Sequence, residues 1–88
     1  MHEASLMSDL VGKVVEIAER EGAPRVARVD VRIGALSHAT PAVLAEHFSF
    51  SAAGTVAADA DLVSATDTDV AVPGALDVVL TAVHLEES

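Results

Sequence analysis

The N-terminal tripeptide Met1-His2-Glu3 carries the residue types in this sequence that are best suited to chemistry. The Met1 α-amine, the His2 backbone nitrogen and the His2 imidazole Nδ1 can surround one metal ion as fused chelate rings. The Glu3 backbone amide can supply a fourth nitrogen, and four in-plane nitrogens suit Ni(II) or Cu(II) rather than Zn(II). On spacing alone, a histidine in second position is more often part of an ordinary frayed terminus. We call these three residues the N-terminal clip: their types allow them to chelate a metal ion, but their spacing alone does not show that they do.

The other three histidines do not form a recognisable ligand pair. His38, His47 and His84 lack the H-x-x-x-H spacing that places two imidazoles on one helix face. Taken singly, each is more often a surface or half-buried side chain than a ligand. His38 is the candidate accessory ligand, because the loop that follows Gly34 is expected to lie near the N-terminus.

The sequence contains no recognisable catalytic motif. It has no cysteine, and it has no G-x-S-x-G, Walker or G-x-G-x-x-G pattern. The aspartates between Asp59 and Asp77 lack the spacing of a calcium-binding EF-hand loop. We therefore predict a protein that is not an enzyme and that does not hold zinc through thiolates.

Composition and charge limit both the size of the protein and its partners. The 88 residues predict one domain spanning 1–88, with Phe48 and Phe50 as its only aromatic rings. A core this small favours support from a second copy or a partner. The formal net charge of −9 argues against nucleic acid and anionic membrane as partners. Without a signal-like or membrane-length apolar run, a cytoplasmic location is expected.

Hydrophobic periodicity and turn signals predict five elements. An apolar stripe at helical spacing indicates a first helix that ends before Gly22 and Pro24. Thr40-Pro41 reads as an N-cap followed by a proline at the first helical position, which predicts the start of a second helix. In order, we predict a helix over about 4–21, a strand over 25–33, a helix over 41–52, and strands over 62–66 and 78–85.

This order of elements predicts the fold class. A strand, helix and strand in succession imply a parallel pair joined by a right-handed crossover, and the short return implies an antiparallel third strand. The fold class is therefore α/β (α+β), a two-layer sandwich of order α-β-α-β-β with two helices on a small three-stranded mixed sheet. Strict alternation in the last strand places Val79, Val83 and Leu85 opposite Val78 and Leu80, which leaves an outer apolar patch able to form a homodimer contact.

Three stretches of the sequence carry a resemblance to a known family. They are MHEASL, RVARVDVRIGALSHATPAVLAEHFSF and GTVAADADL, which together cover about the first two-thirds of the chain. The patterns M-H-E-x-S-L and I-G-x-x-S occur as Met1 to Leu6 and Ile33 to Ser37. The chain resembles the HypA/HybF family of nickel-delivery proteins that help to mature nickel-iron hydrogenases.

The resemblance implies a function for the N-terminal clip. Met1, His2 and Glu3 would bind Ni(II), which would be delivered to a hydrogenase large subunit with help from a HypB-type GTPase. The sequence departs from the family pattern in lacking two CxxC pairs, so the zinc lobe is expected to be absent between about 68 and 76. It also has Thr40 where family members often have an acidic residue.

A second function is compatible with the same features. Without the zinc lobe, the chain could be a metal-free interaction module of HypA fold that docks on a hydrogenase precursor or self-associates. The two functions differ in whether the N-terminal nitrogens take up nickel.

Overall fold

The computed structural model describes residues 2–72 and 74–87, apart from the side chains of His2 and Glu3. The five predicted elements are all present and in the predicted order, which confirms the fold class. Their bounds are α1 His2–Arg20, β1 Arg25–Ile33, α2 Pro41–Ala52, β2 Asp61–Thr66 and β3 Val78–Glu86. None of the helices in the described part of the chain has the length and apolarity needed to cross a bilayer.

Helix α1 buries one side and ends at a glycine, as predicted. Its buried face is broader than the predicted stripe, because Met7 and Val11 are as fully buried as Leu10 and Val14. Gly22 adopts a φ of 67°, and the Ala23 amide donates to the Ala18 carbonyl at 2.9 Å. This left-handed cap satisfies carbonyls that the last helical turn would otherwise leave unpaired.

Helix α2 starts at the predicted cap but buries only one of its two apolar stripes. The Thr40 hydroxyl accepts a hydrogen bond from the Val43 amide at 3.3 Å, and Pro41 occupies the first turn. Leu44 and Phe48 are buried against α1 and the sheet. Phe50, on a neighbouring side of α2, is 85% exposed. It stays exposed because α1 covers only the Leu44–Phe48 side.

The sheet has the strand order β2-β1-β3, with β1 in the centre. Strand β2 runs parallel to β1 and β3 runs antiparallel to it, which confirms the predicted mixed sheet. The helices cover one face of β1, where the side chains are almost inaccessible: Val26, Val29, Val31 and Ile33. Asp30 and Arg32 alternate with Val29, Val31 and Ile33 and lie on the opposite, open face; a register shift between Val26 and Arg28 interrupts the alternation earlier in the strand.

A β-bulge changes which residues of β3 share a face. Asp30 pairs with Ala82 while the next residue, Val31, pairs with Leu80, so Thr81 is an extra residue in β3. The Thr81 hydroxyl donates to the Asp30 carbonyl at 3.1 Å. Because an extra residue shifts the side-chain alternation by one, Leu80 and Val83 both pack against the core. The predicted grouping of Val79 with Val83 and Leu85 is therefore wrong.

The connection from β2 to β3 is anchored to the loop after β1. The Gly34 amide donates to the Asp77 carbonyl and the Leu36 amide to the Ala75 carbonyl, both at 2.7 Å. Ala75 is buried. A Cβ at Gly34 would overlap the backbone carbonyl of Ala75, so only glycine allows this approach. These contacts hold the start of β3 beside the loop that carries His38.

Candidate functional site

The N-terminus of α1 carries the backbone part of the predicted metal clip. The helix begins at His2, two residues earlier than the periodicity indicated. The first four amides of a helix have no carbonyl acceptor within the helix, so those of His2 and Glu3 are free of such bonds. Met1 and the side chains of His2 and Glu3 lie outside the described residues. The prediction that the tripeptide binds nickel therefore stays a prediction.

His38 lies in the loop between β1 and α2 and has an exposed side chain. The Ala39 amide donates to the Ser37 hydroxyl at 3.2 Å, which fixes the backbone on either side of His38. His38 lines the same groove as Leu6, which is one helical turn after His2. The groove is also lined by Lys13 and Ile17 farther along α1, so the prediction that His38 serves as an accessory ligand stays a prediction.

That groove, of about 970 Å³, lies between α1 and β3 and was not predicted from the sequence. Its walls are mainly aliphatic, with Leu6, Leu10 and Ile17 on α1 facing Val78 and Leu80 on β3. Charged and polar residues also line it: Asp9, Lys13, Ser37, His38 and Asp77. These residues come from α1, from the loop after β1 and from the segment before β3, so no single stretch of the sequence reveals the groove.

The remaining two histidines lie apart from this region. His47 is half-buried on α2, beside the exposed ring of Phe50. His84 is on the open face of the sheet, with its Nε2 3.0 Å from the Asp30 carboxylate. Over the described residues there is no cluster of three or more His, Asp or Glu side chains able to hold a metal ion. The clip residues, whose side chains are not described, are outside that search.

The carboxylate of Asp30 connects β1 to β3 on the open face. The Arg28 guanidinium donates to it through Nε at 2.6 Å and through a second nitrogen at 3.3 Å, and His84 contacts it from β3. The hydrogen bond from Arg28, followed by the one with His84, lowers the pKa of Asp30 below its usual value of 3.8. The same pairing raises the pKa of Arg28.

This lowered pKa predicts how the stability contributed by Asp30 depends on pH. A carboxylate with a folded-state pKa below its unfolded value adds stability above the unfolded value, about 4, and loses it as the pH falls through the folded pKa. Asp30→Asn should therefore lower stability near neutral pH, and the difference from the parent chain should shrink below about pH 4. Urea unfolding at several pH values, with exposed Asp59→Asn as the charge-matched control, measures this difference. A deficit for Asp30→Asn that persists unchanged in acid would contradict it.

Comparisons with known proteins identify the family. Residues 1–72 match a family model described as hydrogenase/urease nickel incorporation, metallochaperone, HypA. The chain is 36% identical over 66 residues to the hydrogenase maturation factor HypA of Picosynechococcus, covering 75% of this chain and 58% of that protein. It is 42% identical over 62 residues to HypA of Rhizobium leguminosarum, covering 70% and 55%.

A solved structure shows the same fold. The solution structure of the nickel metallochaperone HypA from Helicobacter pylori superposes with a TM-score of 0.80 at 18% identity, over 98% of each chain. The chain spans about half the length of the curated relatives that it matches. Since the family model covers residues 1–72 and the curated relatives agree with it, the chain belongs to the HypA family of hydrogenase and urease nickel-incorporation proteins.

Proposed function

We propose that this chain binds Ni(II) at Met1, His2 and Glu3 and delivers it to a hydrogenase large subunit during maturation. The observation that carries the proposal is the start of α1 at His2 in a chain of the HypA family, because it leaves the amides of His2 and Glu3 available to the metal. The donors on offer are an amine, two amides and an imidazole. Nitrogen donors of this kind suit Ni(II) in square-planar geometry, in which the His2 amide nitrogen can form chelate rings with two of the other three.

The partial positive charge at the N-terminus of α1 does not oppose nickel binding when the two amides are deprotonated. A helix N-terminus carries partial positive charge and ordinarily repels a cation. When two amides lose their protons to Ni(II), however, their negative charges cancel the charge of the ion. The carboxylate of Glu3 then makes the complex negative, which the N-terminus of a helix favours.

The proposed role is that of a carrier rather than an enzyme, with nickel as its cargo. The delivery step transfers a metal ion between ligand sets and requires no catalytic group of this chain. We extend the proposal to a cytoplasmic protein that acts with a HypB-type GTPase. Because the 88 residues include no cysteine, nickel delivery by this chain would operate without the zinc-thiolate lobe typical of the family.

The pH dependence of nickel binding tests this proposal. Chelation requires a neutral imidazole and a neutral amine, whose reference pKa values are about 6.5 and about 8. The nickel affinity of the native chain should therefore fall steeply as the pH is lowered from about 8 to about 6. Isothermal titration calorimetry with Ni(II) across this range measures the change.

The control for this titration is His47→Ala, which removes a histidine of α2 away from the clip. We expect it to bind nickel with the parent affinity at each pH. Nickel uptake that does not change on acidification would contradict chelation by the N-terminal nitrogens. It would favour the alternative function, a metal-free interaction module with adventitious nickel at surface carboxylates.

A further inference from the structure

The groove between α1 and β3 presents apolar side chains that no other described element covers. Leu76, which lines it, is 71% exposed. Val78 and Leu80 on β3 remain only partly buried although they point toward the core. The groove volume of about 970 Å³ is enough for several side chains of a docked segment.

The groove has a fixed shape on the side formed by Leu76 and Asp77. The backbone of this segment is held by the hydrogen bonds that join Gly34 to Asp77 and Leu36 to Ala75. On the opposite side the wall is the long helix α1. A groove with two anchored walls loses little conformational entropy when it is occupied, which favours docking.

The charges around the groove indicate the kind of occupant. Asp9 and Asp77 line it, and Lys13 is the one basic residue among the described residues that do so. Arg28 and Arg32 lie on the opposite face of the sheet. They are already paired there with carboxylates of Asp30 and Asp67. The described residues that line the groove therefore include two aspartates against one lysine, in a chain whose formal net charge is −9.

We propose that this groove binds a segment of the nickel-receiving protein that carries aliphatic side chains flanked by lysine or arginine. The aliphatic side chains would contact Leu6, Leu76 and Leu80, and the basic side chains would pair with Asp9 and Asp77. The identity of this occupant as the nickel receiver rests on the proposed function, whereas its chemistry rests on the groove alone.

A second copy of the chain fits the groove less well than such a segment. Two copies with a charge of −9 each repel one another at long range. Two of the five lysine and arginine residues of the chain, Arg28 and Arg32, are already paired with carboxylates of the same chain, which leaves few basic groups for a neighbour's groove. A basic segment instead gains from electrostatic attraction as it approaches.

The position of the groove relates docking to metal transfer. The groove extends along α1 to Leu6, one turn after His2, and it includes His38 on its opposite side. A segment lying in the groove would hold its own metal ligands beside the N-terminus of α1. The docked segment would thereby bring the metal ligands of the receiving protein close to Met1, His2 and Glu3.

Nuclear magnetic resonance titration with a defined peptide tests the proposal without nickel. The probe is a peptide of about 12 residues with leucines at helical spacing and lysines beside them, compared with one that has glutamates in place of the lysines. We expect the lysine peptide to shift the amide signals of Leu76, Val78 and Leu80. The glutamate peptide should bind at least about five-fold more weakly, since exposed ion pairs are each worth little but two act together.

Matched variants separate the groove from other exposed apolar surface. Leu76→Ser should weaken binding of the lysine peptide, because it removes an exposed side chain from the groove without opening the core. Phe50→Ser removes a similarly exposed side chain from α2 and should leave the affinity unchanged. Asp77→Asn should reduce the preference for lysine over glutamate.

Three results would overturn the proposal. These are equal affinity for the two peptides, signal shifts centred away from the groove, and concentration-dependent shifts at Leu76 and Leu80 with no peptide present, which would identify a second copy as the occupant. Because nickel is absent from these titrations, a negative result with the peptides would not count against the proposed nickel site. A failure of nickel binding would likewise not count against binding of the peptide.

Discussion

Gly34→Ala is expected to lower the free energy of unfolding by about 3 kcal/mol, toward the upper end of the range for overpacking in a folded protein. A methyl group at this position would overlap the carbonyl of Ala75, and backbone cannot move aside as a flexible side chain can. The loops would have to separate, which breaks the hydrogen bonds from Gly34 to Asp77 and from Leu36 to Ala75. Urea denaturation followed by circular dichroism measures the loss.

Gly12→Ala is the matched control for this substitution. Gly12 is an exposed position inside α1, and a Cβ there would meet no other atom within 4 Å. Alanine should therefore stabilise the chain by about 0.5–1 kcal/mol through its higher helix propensity. If both alanine variants changed stability equally, the close approach of Gly34 to Ala75 would not be the cause.

Acetylation of the Met1 amine is expected to abolish tight nickel binding. The clip depends on a free α-amine separated from the His2 imidazole by one peptide nitrogen, so that the chelate rings are fused. An acetyl group converts the Met1 amine into an amide and supplies no replacement, whereas one added residue would supply its own amine and one more amide to chelate with His2. Since loss of an outer-shell partner alone costs about 10–100-fold in metal affinity, loss of a direct ligand should cost more than about 100-fold.

The elements that the sequence predicts well are those determined by local signals. Thr40-Pro41 specifies the start of α2 by a side-chain cap and a fixed φ, and Gly22 specifies the end of α1. The alternation of β1 follows from a single buried face. Each of these signals acts within a few residues, so that no knowledge of the partner elements is needed.

The features that the sequence does not predict depend on contacts between distant residues. The bulge at Thr81 arises from its pairing with Asp30, which lies 51 positions away, and it reverses the faces expected for Val83 and Leu85. Phe50 is exposed because of where α1 lies, which the apolar pattern of α2 does not specify. The groove likewise is lined by residues of α1, the loop after β1 and β3, and no stretch of the sequence encodes it alone.

The candidate nickel site differs from these features of the fold. Its ligands are predicted by the residues Met1-His2-Glu3 and by the family resemblance, whereas Met1 and the side chains of His2 and Glu3 lie outside the described residues. The structure contributes the start of α1 at His2 and the placement of His38 on a groove that reaches Leu6. The ligand set itself follows from the chemistry of a free amine followed by a histidine.

The most direct test of the central claim is a calorimetric titration of Ni(II) into two proteins that differ only at the N-terminus. One has the native free amine of Met1 and in the other that amine is acetylated. The account predicts binding near one equivalent in the native chain and loss of that binding in the acetylated chain, with both folded by circular dichroism. Equal binding in the two proteins, or no binding in either, would contradict nickel delivery through this clip.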